Sequence, residues 1–340
     1  MSFHKALVYA STDIKISDLR SLTVDMIWLS DEQWKKYKIL EKRCTEHTIH
    51  MMSGDDENYH FKFHHITSSP YIIYGQGNME LLHKKIIAIV WPRKATAYAR
   101  QVLEKLFTQL QAYDVVTISG LADGVDMMVH DLSLQYNIPT IAVLWWGLQY
   151  YLRSKNREKI QTIVNRGGLV LSEFKLEKGP ERYTFPQRNR IVAGLSEMVF
   201  LPEAGVKSGS LITVDFARRM HKDIYGTPNT IFSNTSQGLL EYMQAWFIKP
   251  VIHIDEMLEK YFWKKINSCV RKVVSSWNDE SLKGQETSDI IKILQKHPDW
   301  LSIHTLVVQT WLSTQEVMSQ LSIAEVMEWV RNDGWIWKLK

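Results

Sequence analysis

From about residue 67 the chain alternates between two textures. Short apolar runs rich in β-branched residues recur at 84–90 (KKIIAIV), 115–119 (VVTIS), 139–144 (PTIAVL), 168–172 (GLVLS), 197–201 (EMVFL), 223–226 (DIYG) and 249–254 (KPVIHI). Between most of them lie longer segments of helical period, such as AYARQVLEKLFTQLQAY and LRSKNREKIQTIVNR. Runs that are apolar throughout, rather than alternating, suit strands covered on both faces, and the intervening helices supply the crossovers that parallel strands need. The pattern predicts an α/β core, doubly wound around a mostly parallel sheet, over residues 67–255.

The flanks differ. Residues 1–66 combine charged helix formers (DEQWKKYKILEKR) with a polar loop, SGDDENYH, and read as a small helical unit. Residues 256–284 read as a helix and a linker. Residues 285–340 offer three helical segments, DIIKILQKH, SIHTLVVQT and STQEVMSQLSIAEVMEWVRNDG, then a closing strand, WIWKLK. That order outlines a winged-helix-like domain, with a plain three-helix cap as the alternative.

Composition narrows the class. With 340 residues, 45% of them hydrophobic and 23% charged, the chain is neither disordered nor fibrous. No stretch reaches the ~18 apolar residues of a membrane span, and the start, MSFHKALVYASTDIK, lacks a secretory signal's apolar core, so a cytoplasmic setting without membrane contact is expected. Two distant cysteines, Cys44 and Cys269, give neither a disulfide framework nor a zinc pattern. A formal net charge of +4 becomes informative about nucleic acid only where the charge is clustered.

Candidate chemistry sits at strand ends, where open parallel sheets bind ligands. SGLADGVD (119–126) and LPEAGVKSGSLIT (201–213) place Gly120, Gly124 and Gly209 where backbone passes close to a ligand, with hydroxyls on Ser119, Ser208, Ser210 and Thr213. Helix starts there suit phosphate, although such glycines also simply make tight turns. Between the loops, FPQRNRIVAGLS (185–196) sets Arg188, Asn189 and Arg190 at a helix start. Those arginines pair with phosphate or form a solvated basic turn, and Phe185 receives a base or packs in the core. No GxxxxGK[ST], HExxH or GxSxG motif occurs, and VWPRK (90–94) lacks a GxGxxG signature. His130, one helical turn after Asp126, is expected to make an intrahelical hydrogen bond that shapes the loop. Spacing leaves open whether Asp126 and Glu203 pair.

SGLADGVD, GLQYYLRSKN, GGLVLSEF, FPQRNRIVAGLS and EAGVKSGSLIT occur in the order and at the intervals of the DNA-processing protein A (DprA/Smf) family. PYIIYGQGNMELLHKKIIAIV resembles that family's entry to its first strand. The resemblance covers roughly residues 60–254, and TWLSTQEVMSQLSIAEVMEWV looks like the winged-helix domain of many members. It implies an extended Rossmann-like fold, homodimers, binding of single-stranded DNA, and loading of RecA recombinase onto it in transformation and recombination. Neither catalytic activity, cofactor nor metal is implied. Carried over by motif, the DNA-contacting positions are Arg93 and Lys94 in the first turn; Ser119, Gly120, Leu121, Ala122 and Gly124; Phe185, Arg188, Asn189 and Arg190; and Ser208, Gly209 and Ser210. A different reading, a nucleotide hydrolase of the lysine-decarboxylase-like phosphoribohydrolase type, needs a PGGxGT loop followed by a catalytic glutamate. KSGSLIT has no acid there.

The chain departs from the family pattern in several places. Asp123 stands where a basic residue is usual. Trp91, Trp145, Trp246, Trp311, Trp329 and Trp335 stand where the pattern has glycine, in a chain with 13 tryptophans and only 16 glycines. The codon UGA is tryptophan in one variant genetic code and glycine in another, so these six positions are either UGA-encoded glycines or the true tryptophans of a divergent homologue whose first turn has filled in and lost its ligand.

Overall fold

A computed structural model describes residues 30–54, 59–90, 96–121, 125–154, 156–181 and 184–265, together with 290, 293–294, 301–310, 317–318, 320–321, 330–333 and 336–339. Arg93, Lys94, Ala122, Gly124, Trp91, Trp311, Trp329 and Trp335 lie outside the described residues, as do the side chain of Asp126 and the segment 266–289. Contacts divide the chain into two units, residues 1–265 and 266–340.

The first unit opens with α1 (Asp31–Glu46), β1 (Ile49–Ser53), the single-turn α2 (Phe61–His64) and β2 (Ile72–Gly77). Strands and helices then alternate: β3 (Ile86–Ile89), α3 (Ala97–Leu110), β4 (Val116–Gly120), α4 (Val125–Gln135), β5 (Thr140–Val143), α5 (Leu148–Leu152), α6 (Arg157–Asn165), β6 (Leu169–Ser172), α7 (Thr184–Leu195), β7 (Met198–Leu201), α8 (Ser210–Arg219), β8 (Asp223–Gly226), α9 (Gln237–Gln244), β9 (Lys249–Pro250) and α10 (Ile254–Glu259). Nine strands form one sheet in the order β1-β2-β6-β5-β4-β3-β7-β8-β9. Neighbours from β6 to β9 are parallel, whereas β2 pairs antiparallel with both β6 and β1. The α/β, doubly wound, mostly parallel core expected from the sequence is therefore present.

The burial pattern explains why the parallel strands read as unbroken apolar runs. Ile86 and Ala88 point into one layer with Ile118, Val143, Ile191 and Val214, while Ile87 and Ile89 point into the other with Leu103, Phe107 and Val129. Apart from Ala88, each such side chain, once fully buried, contributes about 1.5–3 kcal/mol. The winding reverses at β3. Strands β4, β5 and β6 are laid on one side of it; the chain then returns through α7 and lays β7, β8 and β9 on the other. Helix α7 packs on β3, β4 and β5 and against α8, spanning the reversal. All the parallel strands present their carboxyl ends to one rim.

One feature at the amino end differs from the expectation. The helical reading of 1–66 applies to α1, but Ile49–Ser53 is an edge strand of the main sheet, with Ile49, Met51 and Met52 buried. Strand β2 ends at Gly77, whose φ of +110° and whose approach to Gly168 admit no side chain: a Cβ would lie 2.2 Å from the Gly168 carbonyl oxygen. At the other end, α10 packs on α3, and the backbone N–H of Lys265 donates to Ala112. The segment from 256 therefore begins as part of the sheet unit.

The second unit holds β10 (Leu301–Ser302), α11 (Ile303–Thr310), β11 (Val330–Asp333) and β12 (Ile336–Leu339). The strands form an antiparallel sheet in the order β10-β12-β11. Ile290, Leu294, Leu306, Val317, Leu321 and Val330 make its core. The hairpin of β11 and β12 corrects one sequence reading: VRND is a strand rather than the end of the third helix.

Candidate nucleic-acid interface

The site grows from the carboxyl end of β4. Ser119 is fully buried and its hydroxyl donates to the Ile89 carbonyl (2.8 Å), tying β4 to β3 instead of facing a ligand. The Gly120 carbonyl lies 2.8 Å from Nε2 of His130. A carbonyl only accepts, so Nε2 carries the proton and Nδ1 accepts from the Thr140 hydroxyl at 2.8 Å. The Thr117 hydroxyl bonds Thr140 (2.8 Å) and lies 2.7 Å from that of Ser133. The ring of His130 therefore bonds to β4 and β5 and not within its own helix as expected, and it holds the strand end through a buried polar network. Leu121 is buried, and its carbonyl accepts from the Tyr151 hydroxyl at 3.3 Å.

Helix α7 brings the next layer. Arg188 is only 2% exposed, and its guanidinium lies directly over Gly120: a Cβ at position 120 would sit 1.4 Å from Nη1. The same guanidinium is stacked 5.3 Å from the Phe185 ring centre. Phe185 in turn meets the opposite loop, where a Cβ on Gly209 would be 3.3 Å from its ring edge, and it meets Trp145 edge-on at 5.9 Å. Trp145 stacks on Trp146 at 4.5 Å. Segments following β4, β5, β6 and β7 therefore converge through Gly120, Trp145, Arg188, Phe185 and Gly209.

The other site residues fall into place around this chain of contacts. Asn189 and Arg190 are buried, so the arginines are not an exposed basic turn. Nη2 of Arg190 pairs with Glu173, just after β6. Burial pushes the Glu173 carboxyl up, against the opposing pull of Arg190. Glu173 lies inside the GGLVLSEF motif, but nothing local in that motif marks it as an arginine partner. Ser208 is half-buried with its hydroxyl 2.6 Å from that of Ser210 and accepts the Ser210 N–H (3.3 Å), while the Leu211 and Ile212 N–H groups donate to the Ser208 (3.1 Å) and Gly209 (3.3 Å) carbonyls. The first turn of α8 is thus capped from within, and it is the helix dipole that favours an anion there.

A further acid braces the rim. Glu203 is fully buried and accepts from the hydroxyls of Thr96 (2.9 Å), Thr235 and Ser236 (3.5 Å). Thr96 caps α3 by accepting from the Ala99 N–H at 3.2 Å, so the carboxylate joins the start of α3 to the segments after β7 and β8. Among the described residues no group of three or more His, Cys, Asp or Glu could hold a metal ion. Among them, too, no helix is long and apolar enough to cross a membrane.

The sequence model of DNA recombination-mediator protein A matches residues 50–262, from β1 to the end of the sheet unit. The chain belongs to this family. Curated relatives of the chain include the DNA processing protein DprA of Streptococcus pneumoniae, 33% identical over 189 residues, and Protein Smf of Escherichia coli, 34% identical over 215 residues. Those matches cover 56% and 62% of this chain and 66% and 56% of the relatives, so the chain spans less than two thirds of their length. Two solved structures share the fold. The X-ray structure of DprA from S. pneumoniae superposes with a TM-score of 0.59 at 26% identity, covering 76% of this chain and 94% of that one. DNA processing protein A from Helicobacter pylori, described for its single-stranded DNA binding mode, superposes with a TM-score of 0.56 at 28% identity, covering 62% and 94%.

Proposed function

We propose that this protein binds single-stranded DNA along the carboxyl rim of its sheet and delivers it to RecA recombinase, acting as a homodimer. The observation that carries the reading is the contact chain Gly120–Arg188–Phe185–Gly209 at the reversal of the sheet. It combines a guanidinium, an aromatic face and the positive end of the α8 dipole, which together suit phosphates and a stacked base without reading sequence. The H. pylori relative, described by its single-stranded DNA binding, supports the ligand class, and the family's description as a recombination mediator supports the role. Arg93, Lys94, Ala122 and Gly124 belong to the same proposed path by their place in the motifs.

The test is fluorescence anisotropy of a labelled oligothymidine with the full chain across a salt series. Binding that weakens linearly in log–log form with rising salt is expected. Hydrolysis of nucleoside monophosphates with no oligonucleotide binding would replace the reading with the hydrolase alternative.

A further inference from the structure

The loop from β8 to α9 exposes two large apolar side chains. Ile231 is 75% exposed and Phe232 is 88% exposed. Their backbone is nonetheless fixed from both ends. The Thr227 hydroxyl donates to the Pro202 carbonyl (2.8 Å), the Tyr98 hydroxyl donates to the Pro228 carbonyl (2.7 Å), and the Asn229 amide donates to the Ser236 hydroxyl (2.7 Å). Within the loop, backbone N–H groups of Ser233 and Ser236 donate to Thr230 (3.1 Å) and Ser233 (3.0 Å). Thr235 and Ser236 are held by Glu203. The loop backbone therefore has little conformational freedom left to lose on binding, and the exposed ring it carries is available to a planar partner.

Position and charge indicate which partner. The loop abuts the segment after β7 that leads into Gly209: a Cβ on Gly205 would lie 3.3 Å from the Asn234 carbonyl oxygen, and Leu239 N–H donates to Ala204 at 2.9 Å. Residues 204–210 and 227–237 contain a single charged side chain, the exposed Lys207, and no carboxylate; the rest are mostly hydroxyl, amide and glycine. Such a surface sets no negative charge against a polyanion, carries donors for its backbone and offers one ring for a base. A lipid surface calls for a cluster of basic residues beside the apolar pair, which one lysine does not supply, and an acidic peptide makes no use of the ring.

We propose that Phe232, flanked by Ile231, is a base-stacking platform that extends the single-stranded DNA path outward from the Phe185–Gly209 contact across the loops after β7 and β8. The proposal rests on the single-stranded DNA reading above and adds a second stacking position to it.

Titration of oligothymidine and of an abasic deoxyribose-phosphate oligomer of equal length against wild type, Phe232→Ala and Phe232→Trp tests it. Phe232→Ala is expected to weaken oligothymidine binding roughly 5- to 100-fold, leave abasic binding and the salt slope unchanged, and be rescued by Phe232→Trp. Wild type that binds oligothymidine with Phe232→Ala binding it equally well overturns the platform alone. Loss of self-association in Phe232→Ala with DNA affinity intact also overturns it, assigning the ring to a protein contact. Wild type that binds no oligothymidine overturns both proposals together. At 88% exposure the alanine variant removes no core packing.

Discussion

Arg188 lies in the space that a side chain at position 120 would need, with Nη1 1.4 Å from the Cβ that Gly120 lacks. The glycine is thus required by the arginine above it and not by a turn. Gly120→Ala is expected to cost about 1–3 kcal/mol as the guanidinium is displaced, and to lower oligothymidine affinity about tenfold by losing a charged donor. In an Arg188→Ala background the same glycine substitution is expected to cost little more. Urea melts of the two single variants and the double variant measure that non-additivity.

The Arg190–Glu173 pair is shielded from water, with both side chains nearly buried. Removing one partner strands the other charge, so Glu173→Gln is expected to destabilise by about 3–5 kcal/mol. The double variant Glu173→Leu with Arg190→Met, which leaves no buried charge, is expected to be more stable than Glu173→Gln. Denaturant midpoints at constant pH check the order.

His60 predicts an acid-sensitive fold. Its ring is 6% exposed and lies 4.5 Å from that of His83, and its Nδ1 accepts the Lys62 N–H. Burial first, then the charges of His83 and Lys62, lower its pKa from 6.5 to about 4. Between those values the unfolded chain binds the proton and the folded chain does not. Stability is therefore flat above pH 7 and falls as pH drops from 6.5 towards 4, by at most about 3 kcal/mol. His60→Asn keeps an acceptor for Lys62 and is expected to flatten that part of the melting-temperature profile.

Trp246 carries a backbone that favours glycine. It follows α9 with φ of +61°, its N–H donates to Met243 (2.9 Å) and that of Phe247 to Tyr242 (2.9 Å), and its side chain is 90% exposed. This is the left-handed helix stop that glycine usually occupies. Trp246→Gly is expected to stabilise by about 1 kcal/mol, read as a higher melting temperature. UGA codons at this and the five companion tryptophan positions are the matching genetic expectation.

The parallel strands were legible because fully buried strands are apolar at every position, as in IIAI of β3. Strand β1, IHMMS, has one isoleucine and a histidine turned to solvent, and β2, IIYGQG, carries two glycines; neither has a strand's usual composition, so the sheet's antiparallel edge was not visible. In the site, the glycine loops and the helix start were readable from residue type. The burial of Arg188 and Arg190 was not, because a basic tripeptide after proline reads as a solvated turn. Only Gly120 and Glu173, brought up by other strands, turn those side chains inward.

The three hydroxyls on Glu203 have a mechanical consequence. Because Thr96, Thr235 and Ser236 share one water-excluded carboxylate, displacing any of their segments breaks a bond that solvent does not replace, at about 1–3 kcal/mol. The three segments consequently behave as one jaw. On the proposed DNA path, a polymer that shifts one of them drags the others with it, and neighbouring nucleotides are then gripped or released in concert.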